Sequence, residues 1–306
     1  MADWRYKNEL IFRLALTLSK LKSWWFFIRE SDRNNINRRF LKTHGYLMDW
    51  KNPQTLNQKI QWSKLFDFKP EHTIYADKLA VRDFIAKELG NEYLIPLLHR
   101  TKSPENMRFE DLPEIPFVIK ANHDSGSYQI IRDRSKVNLA VLRRQCRWWL
   151  SKNYYWMDRE PEYNDIPREI LMETLLLGRN GKVPNDYKFN VFGGKVGFIY
   201  VSVDREGTNK RNIYDRDWNP LHFTWAAPYK DHQSLRGDEI EPPQVIDEMI
   251  RIAEKLGSLF NYVRVDLYEV DGKIYFGELT QHHGGGYDKI LPVEWDYKWG
   301  ELIKSI

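Results

Sequence analysis

One alternating run near the C-terminus, Arg264-Val265-Asp266-Leu267-Tyr268-Glu269-Val270-Asp271-Gly272-Lys273-Ile274-Tyr275-Phe276-Gly277-Glu278-Leu279-Thr280, constrains the fold more than any other segment. Val263, Val265 and Leu267 alternate with Arg264 and Asp266, while Gly277 and Leu279 alternate with Glu278 and Thr280, the period of a half-buried strand pair. The turn between the strands decides whether the two carboxylates meet. A two-residue Asp271-Gly272 turn sends Asp266 and Glu278 to opposite faces, whereas an odd loop Val270-Asp271-Gly272, with glycine left-handed, brings Arg264, Asp266, Glu278 and Thr280 to one face. We take the odd loop as the expectation. Two anionic oxygen donors beside a cation suit a hard divalent metal bound together with phosphate. The plain alternative is the solvated face of an edge hairpin.

At 306 residues the chain is long enough for two or three packed units, and 42% hydrophobic with 29% charged residues is a globular balance. The formal charge of +4 is mild and its lysines and arginines are scattered, so nucleic acid is not implied. Cys146 is the single cysteine. It excludes an internal disulfide and a cysteine zinc cluster and favours a reducing, cytoplasmic setting. Its basic neighbours Arg143, Arg144 and Arg147 favour a thiolate, but no histidine partner is suggested, so catalysis by Cys146 is not expected.

Toward the N-terminus, Leu10, Leu14, Leu18, Leu21, Trp25 and Ile28 recur at steps of three and four, interrupted by Arg13, Lys20 and Lys22. That pattern is an amphipathic, basic, tryptophan-rich helix, not a membrane span or a cleavable signal. Residues 10–28 suit either peripheral contact with the inner face of a membrane or docking on protein, the chain's own body or a second copy in a homo-oligomer.

Four regions follow along the chain: helices over 1–45, a largely helical region over 46–112, a mixed region over 113–175, and a strand-rich region over 176–306 that ends with the hairpin. Expected strands include Tyr93 to Leu98, Phe117 to Asn122, Tyr128 to Ile131, Ile170 to Leu176, Asp186 to Phe192 and Lys195 to Val203. Helices are expected over 76–89, 139–156 and 242–260, and Lys102 to Glu110, with prolines around it, reads as a linker. The class is α+β with antiparallel strands.

Lys120 ends an apolar strand and precedes His123-Asp124-Ser125-Gly126-Ser127, a small polar loop. A lysine point charge and loop N–H groups suit phosphate, although a snorkelling strand-end lysine has the same appearance. No Walker-type or Gly-x-Gly-x-x-Gly motif occurs.

Taken in order, Asn52-Pro53-Gln54-Thr55-Leu56-Asn57-Gln58-Lys59-Ile60-Gln61-Trp62, Asp77-Lys78-Leu79-Ala80-Val81-Arg82, the Val-Ile-Lys strand with its Ser-Gly-Ser loop, Asp186-Tyr187-Lys188-Phe189 and Phe276-Gly277-Glu278-Leu279-Thr280 resemble the teichuronopeptide-type (TupA-like) ATP-grasp family. The resemblance runs from about residue 45 to the end of the sequence. It implies an ATP-grasp fold, two α+β subdomains gripping ATP, here with a mostly helical N-terminal region. It assigns Lys78 and Lys120 to ATP phosphates, Ser125, Gly126 and Ser127 to a closing flap, and Glu173 to adenine and ribose. Lys188 would enter the nucleotide cleft, Asp266 and Glu278 would hold Mg2+, and Arg264 would stabilise the transferring phosphoryl group. Thr280 stands where such enzymes commonly have asparagine, which weakens its claim as a metal ligand.

The implied activity is ATP-dependent carboxylate-amine ligation through an acyl-phosphate, joining an amine or amino acid to a sugar acid or glycan precursor in cell-surface polysaccharide biosynthesis. Arg205, Arg211, His282 and His283 are candidate substrate contacts, the histidines in a glycine-rich loop too divergent for zinc. A glycosyltransferase is the rival reading, since Asp215 and Asp217 have Asp-x-Asp spacing, but Tyr214 to Pro220 also reads as a hairpin turn. A non-catalytic binding module would leave the paired carboxylates without a role.

Overall fold

The computed structural model describes residues 4–6 and 8–304. In chain order the elements are α1 (Glu9–Ile28), α2 (Asp32–His44), α3 (Leu56–Phe66), α4 (Pro70–Ala76), α5 (Ala80–Glu88), β1 (Leu97–Thr101), β2 (Phe117–Ala121), β3 (Tyr128–Ile131), α6 (Leu139–Ser151), α7 (Tyr154–Asp158), β4 (Ile170–Thr174), β5 (Asp186–Phe192), β6 (Lys195–Val203), β7 (Lys210–Tyr214), β8 (Thr224–Ala226), α8 (Ile246–Gly257), β9 (Tyr262–Val270), β10 (Lys273–Thr280), β11 (Lys289–Leu291) and α9 (Glu294–Gly300). The class is α+β. The chain divides into two compact units, one of residues 1–31, 69–84 and 95–175, the other of residues 32–68, 85–94 and 176–306.

The first unit is built on an antiparallel sheet ordered β1-β4-β2-β3. Phe117, Ile119 and Ala121 alternate inward along β2 and pack with Met172, Leu142, Cys146 and Trp149, so α6 covers one face. Within the expected linker Met107 is buried in this core, together with Leu112 just beyond it. Burial pushes the Cys146 thiol far up, which keeps it protonated. The expected helix 139–156 breaks at Lys152 and Asn153, where the Asn153 side chain caps α7 by accepting from Trp156 N. Helix α1 docks through buried Phe12, a Phe27–Trp156 ring stack at 5.5 Å and an Arg147–Glu9 ion pair at 2.9 Å.

The second unit carries an antiparallel sheet ordered β10-β9-β5-β6-β7. Its two faces differ. Phe189, Val191, Val263, Val265 and Leu267 are buried on the side packed by α8, whose Met249, Ile250, Ala253 and Leu256 are buried in turn. The opposite face is apolar over β6 and β7 and at the Phe192–Tyr262 end of β5 and β9, where Phe198, Tyr200 and Ile213 join Leu56, Ile60, Phe223, Trp225 and Trp299 from α3, the β8–β11 ribbon and α9. Helix α3 starts at Leu56 because Thr55 and Gln58 form a reciprocal capping box. Over the rungs of Lys188, Asp266 and Glu278 and of Asn190, Arg264 and Thr280 this same face is polar.

Candidate active site

In the first unit Lys120 occupies an outward position of β2, on the face away from α6. Glu173 on β4 pairs in register with Val118 and therefore shares that face. Lys120 Nζ lies 2.5 Å from Glu173 Oε2, and Arg82 Nη1 lies 3.0 Å from Oε1. Arg82 also donates to Ile95 O at 2.9 Å. The carboxylate is buried and held by two cations, so both cations are positioned before any ligand arrives.

Lys78 is placed by Asn122, which directly follows β2. The Asn122 amide donates to Asp77 Oδ1 and Pro167 O, each at 2.8 Å, and its backbone carbonyl accepts from Lys78 N at 3.3 Å. Lys78 Nζ then donates to the Asp124 carbonyl at 2.5 Å. The base of the polar loop is fixed: the Ser127 hydroxyl donates to the buried Asp124 carboxylate, and Lys152 donates to Ser127 Oγ at 2.8 Å while lying 3.5 Å from Asp124. Ser125 and Gly126 are exposed at the tip, whereas Ser127 is buried at the base. Burial, with Arg168, Lys78 and Lys152 nearby, pushes His123 down to about 3, so its imidazole is neutral.

The second unit corrects the expected hairpin turn. Val270 pairs with Lys273, leaving Asp271 and Gly272 as a two-residue turn with φ of 51° and 86°, the left-handed geometry that matches strand twist. The odd residue lies inside β10 instead. Phe276 pairs with Leu267 but Glu278 pairs with Asp266, so Gly277 is an extra residue, a β-bulge. Without it Glu278 would oppose Val265 and point to the α8 side; with it, the two carboxylates share one face. A Cβ at position 277 would lie 3.0 Å from Asp266 O and 3.3 Å from Asp266 Cβ, which is why glycine suits the bulge.

Register then assembles the rest. Glu278, Asp266, Lys188 and Tyr200 form one rung across four strands, and Thr280, Arg264 and Asn190 form the next. Arg264 grips Asp266 through Nε to Oδ1 at 2.6 Å and Nη2 to Oδ2 at 2.7 Å, and Nη2 also reaches Glu278 Oε1 at 2.6 Å. Thr280 Oγ1 donates to the same Glu278 oxygen at 3.0 Å. Lys188 Nζ lies 3.0 Å from Asp266 Oδ2 and also donates to Asp186. Burial opposes the Arg264 charge, but Asp266 and Glu278 outweigh it and raise its pKa, so the guanidinium stays charged. Burial likewise pushes Asp266 up while Arg264 and Lys188 pull it back.

Asp186 was not among the candidates, yet it shares this face two residues before Lys188. Strand alternation in Asp186-Tyr187-Lys188 is the signal that would have found it. Its Oδ1 is buried and has no hydrogen-bond partner among the described residues. Asp186, Asp266 and Glu278 outnumber Lys188 and Arg264 by one charge, and Glu278 is the outermost, with its side chain 40% exposed. An orphaned carboxylate oxygen and surplus negative charge fit a divalent cation.

The glycine loop is tied to α3. Gly284, Gly285 and Gly286 have φ of 56°, 59° and 69°, and the Gly285 carbonyl accepts from both Gln61 Nε2 and Lys64 Nζ at 2.7 Å. His282 and His283 are both buried. His283 Nδ1 lies 2.7 Å from Arg264 Nη1, and because guanidinium only donates, Nδ1 must accept and the proton sits on Nε2. Burial and the nearby Arg264, Lys188 and Arg211 charges hold this imidazole neutral. Arg205 lies over the Tyr268 ring at 5.4 Å, and Arg211 pairs in register with Ser202, itself opposite Asp186. Asp215 accepts from Asp217 N at 2.9 Å and from Asn219 N at 2.8 Å, which uses the Asp-x-Asp pair to close its own turn.

A family model described as TupA-like ATPgrasp matches residues 58–304. Among solved structures, D-alanine–D-alanine ligase from Bacillus anthracis complexed with ATP is 16% identical, covering 68% of this chain and 54% of that one, with a TM-score of 0.38. The D-alanine–D-alanine ligase from Helicobacter pylori is 18% identical, covering 76% and 61%, with a TM-score of 0.39. A Chryseobacterium gregarium RiPP-associated ATP-grasp ligase in complex with ADP and a leader and core peptide is 14% identical, covering 81% and 65%, with a TM-score of 0.36. This chain spans less than two thirds of the length of each. No curated protein matches the sequence.

Proposed function

The chain belongs to the TupA-like ATP-grasp family, and from that premise we propose that it is an ATP-dependent carboxylate-amine ligase working through an acyl-phosphate. The observation that carries the reading is the convergence of Asp186, Asp266 and Glu278 with Lys188 and Arg264 on one face of the second unit's sheet. Bound ATP would supply the phosphoryl group, and Mg2+ would neutralise phosphate charge against Asp266, Glu278 and the orphaned Asp186 oxygen. Lys78 and Lys120 are assigned to phosphate oxygens, with Ser125 and Gly126 closing above them. Glu173 and Arg82 hold Lys120 in place. Arg264, fixed by His283, stabilises the negative charge that develops as phosphate moves to the substrate carboxylate. An amine then attacks the acyl-phosphate carbon, the C–O bond to phosphate breaks, and phosphate leaves as the amide forms.

For substrates we propose a sugar acid of uronic type and an amino acid or other amine, in polysaccharide biosynthesis, with Arg205 and Arg211 meeting the acidic partner. We place the enzyme in the cytoplasm, at the inner face of a membrane, on the strength of the exposed side of α1. A screen that crosses uronic acids with amino acids and reads ADP release tests the reaction. ADP formation that requires ATP, an acid and an amine together supports it. Release of a nucleotide from a sugar donor, with no ADP in any combination, would sink it in favour of glycosyl transfer.

A further inference from the structure

The inner side of α1 is anchored, and its outer side carries a long apolar stripe. Phe12 is buried, and Ala15, Leu16, Ser19, Ser23 and Phe27 are half-buried against the first unit. On the opposite side Leu10, Leu14, Leu18, Leu21, Trp25 and Ile28 are 78%, 63%, 58%, 57%, 52% and 52% exposed. They follow steps of three and four from Leu10 to Ile28, so at 1.5 Å per residue the stripe is about 27 Å long. Arg159 Nη2 bonds the Phe27 carbonyl at 3.0 Å and Arg147 pairs with Glu9 at 2.9 Å, so both ends are tied down and the stripe is displayed in a fixed direction. No described helix is long and apolar enough to cross a membrane.

The rim of the stripe selects the occupant. At helical spacing Arg13 and Lys20 border one edge and Lys22 and Arg29 the other, all four exposed, and Trp24 flanks the stripe near its C-terminal end. The acidic residue within the helix, Glu9, lies toward the docked side and is engaged by Arg147 and Arg13. A second copy of α1 laid on this stripe would bring basic rim against basic rim. An anionic lipid surface complements both rims at once, takes the leucines into the acyl boundary and seats tryptophans at headgroup level.

We infer that α1 is a fixed membrane-surface helix that lies flat in an anionic phospholipid headgroup layer. The inference deepens the membrane placement proposed above, rests on the same exposed side of α1, and does not depend on the ligation chemistry. Because the stripe is already exposed, polar substitutions there leave the core alone. The test is flotation of the full chain with vesicles of phosphatidylcholine alone and of phosphatidylcholine mixed with phosphatidylglycerol, comparing the native protein with a Leu14→Gln, Leu18→Gln, Trp25→Gln variant and a Lys20→Glu, Lys22→Glu variant.

The native protein should float with the mixed vesicles and not with neutral ones. Both variants should lose about tenfold or more in partition, because apolar burial and lipid charge each contribute. Their ADP release and melting temperature should stay unchanged, which separates failure of membrane contact from failure of the ligase reading. Equal flotation of native and variant proteins, or none by the native protein, overturns the inference. So does a solution dimer that the leucine variant dissociates, since the occupant would then be a second copy.

Discussion

Placing Asp266 and Glu278 side by side depends on a single glycine, so Gly277→Ala should act on chemistry more than on folding. The added methyl would lie 3.0 Å from Asp266 O, where ordinary contact begins near 3.4 Å, and 3.1 Å and 3.3 Å from Tyr268 Cε2 and Asp266 Cβ. Tyr268 and Asp266 belong to a packed strand, so relief means moving β9 and β10 apart by about 0.4 Å at the bulge. Overpacking of this kind costs about 1–2 kcal/mol, a drop of a few degrees in melting temperature for a chain of this size. A displacement of about 1 Å in a reacting constellation costs on the order of 10²-fold in rate, so about 0.4 Å corresponds to roughly a five- to tenfold loss of kcat. Turnover measured by ADP release and stability measured by thermal melting separate the two effects. A variant that melts lower yet keeps native kcat would refute the claim that the bulge sets the spacing of the carboxylates.

Glu278→Gln keeps the shape of the outermost carboxylate but removes its charge; ADP release should fall more than about 10²-fold while circular dichroism and melting stay near native, and retained turnover would remove Glu278 from the metal site. Manganese, used as a paramagnetic stand-in for Mg2+, should bind on the order of tenfold more tightly with ADP present than alone, because phosphates draw Arg264 away from Glu278; spin resonance titration showing equal affinities would contradict this. Burial raises Asp296 to about 6, against hydrogen bonds from Asn57 N and Nδ2 at 3.0 Å each. A raised carboxyl pKa means the folded state holds the proton more firmly, so this group's stabilisation is full below about pH 4 and is lost as pH rises to about 6, by up to roughly 2–3 kcal/mol. In Asp296→Asn that component should vanish from the difference between variant and native denaturation curves across the same window, with Asn57, whose Oδ1 is buried and has no hydrogen-bond partner among the described residues, able to turn its amide to meet the new side chain. A difference that does not change with pH would show that Asp296 does not titrate there.

Strand alternation carried most of what could be read in advance. β5 and β6 run over Asp186–Phe192 and Lys195–Val203, as their periodicity and the Gly193-Gly194 turn demand. The failures have local causes. The strand expected at Tyr93 begins only at Leu97, because Pro96 has no N–H for the ladder and Asn91–Tyr93 forms a 3-10 turn after left-handed Gly90. The helix expected over 242–260 is confined to Ile246–Gly257, short of the prolines that open the segment. The bulge was misplaced into the turn because Asp271-Gly272 satisfies a two-residue turn as well as an odd loop, while the cue for its true position was a glycine inside a strand. Arg82, Asn122 and Lys152 escaped notice because their roles arise from contacts distant in sequence, with Glu173, Asp77 and Ser127.

Each cation assigned to phosphate is already held by an oxygen of its own unit. Lys120 is on Glu173, Lys78 is on the Asp124 carbonyl, Lys188 is between Asp186 and Asp266, and Arg264 is on Asp266 and Glu278. Ion pairs in so buried a setting contribute little net stability, since desolvation offsets much of their attraction. Their effect is geometric: long side chains that would otherwise sample many rotamers are each held in one place within their own unit. On the proposed reading, a nucleotide with its metal would bind by exchange, phosphate oxygens taking up the cations and the metal taking up the carboxylates of Asp186, Asp266 and Glu278. Neither half of that exchange would leave a buried charge unmatched, whereas metal or nucleotide arriving alone would. On that reading the surplus carboxylate and the orphaned oxygen of Asp186 would bias the exchange toward the metal. For the same reason Asp186 and Lys188 sit two residues apart on one strand: alternate positions are the shortest spacing at which a strand can place an anion and the cation it holds on the same face.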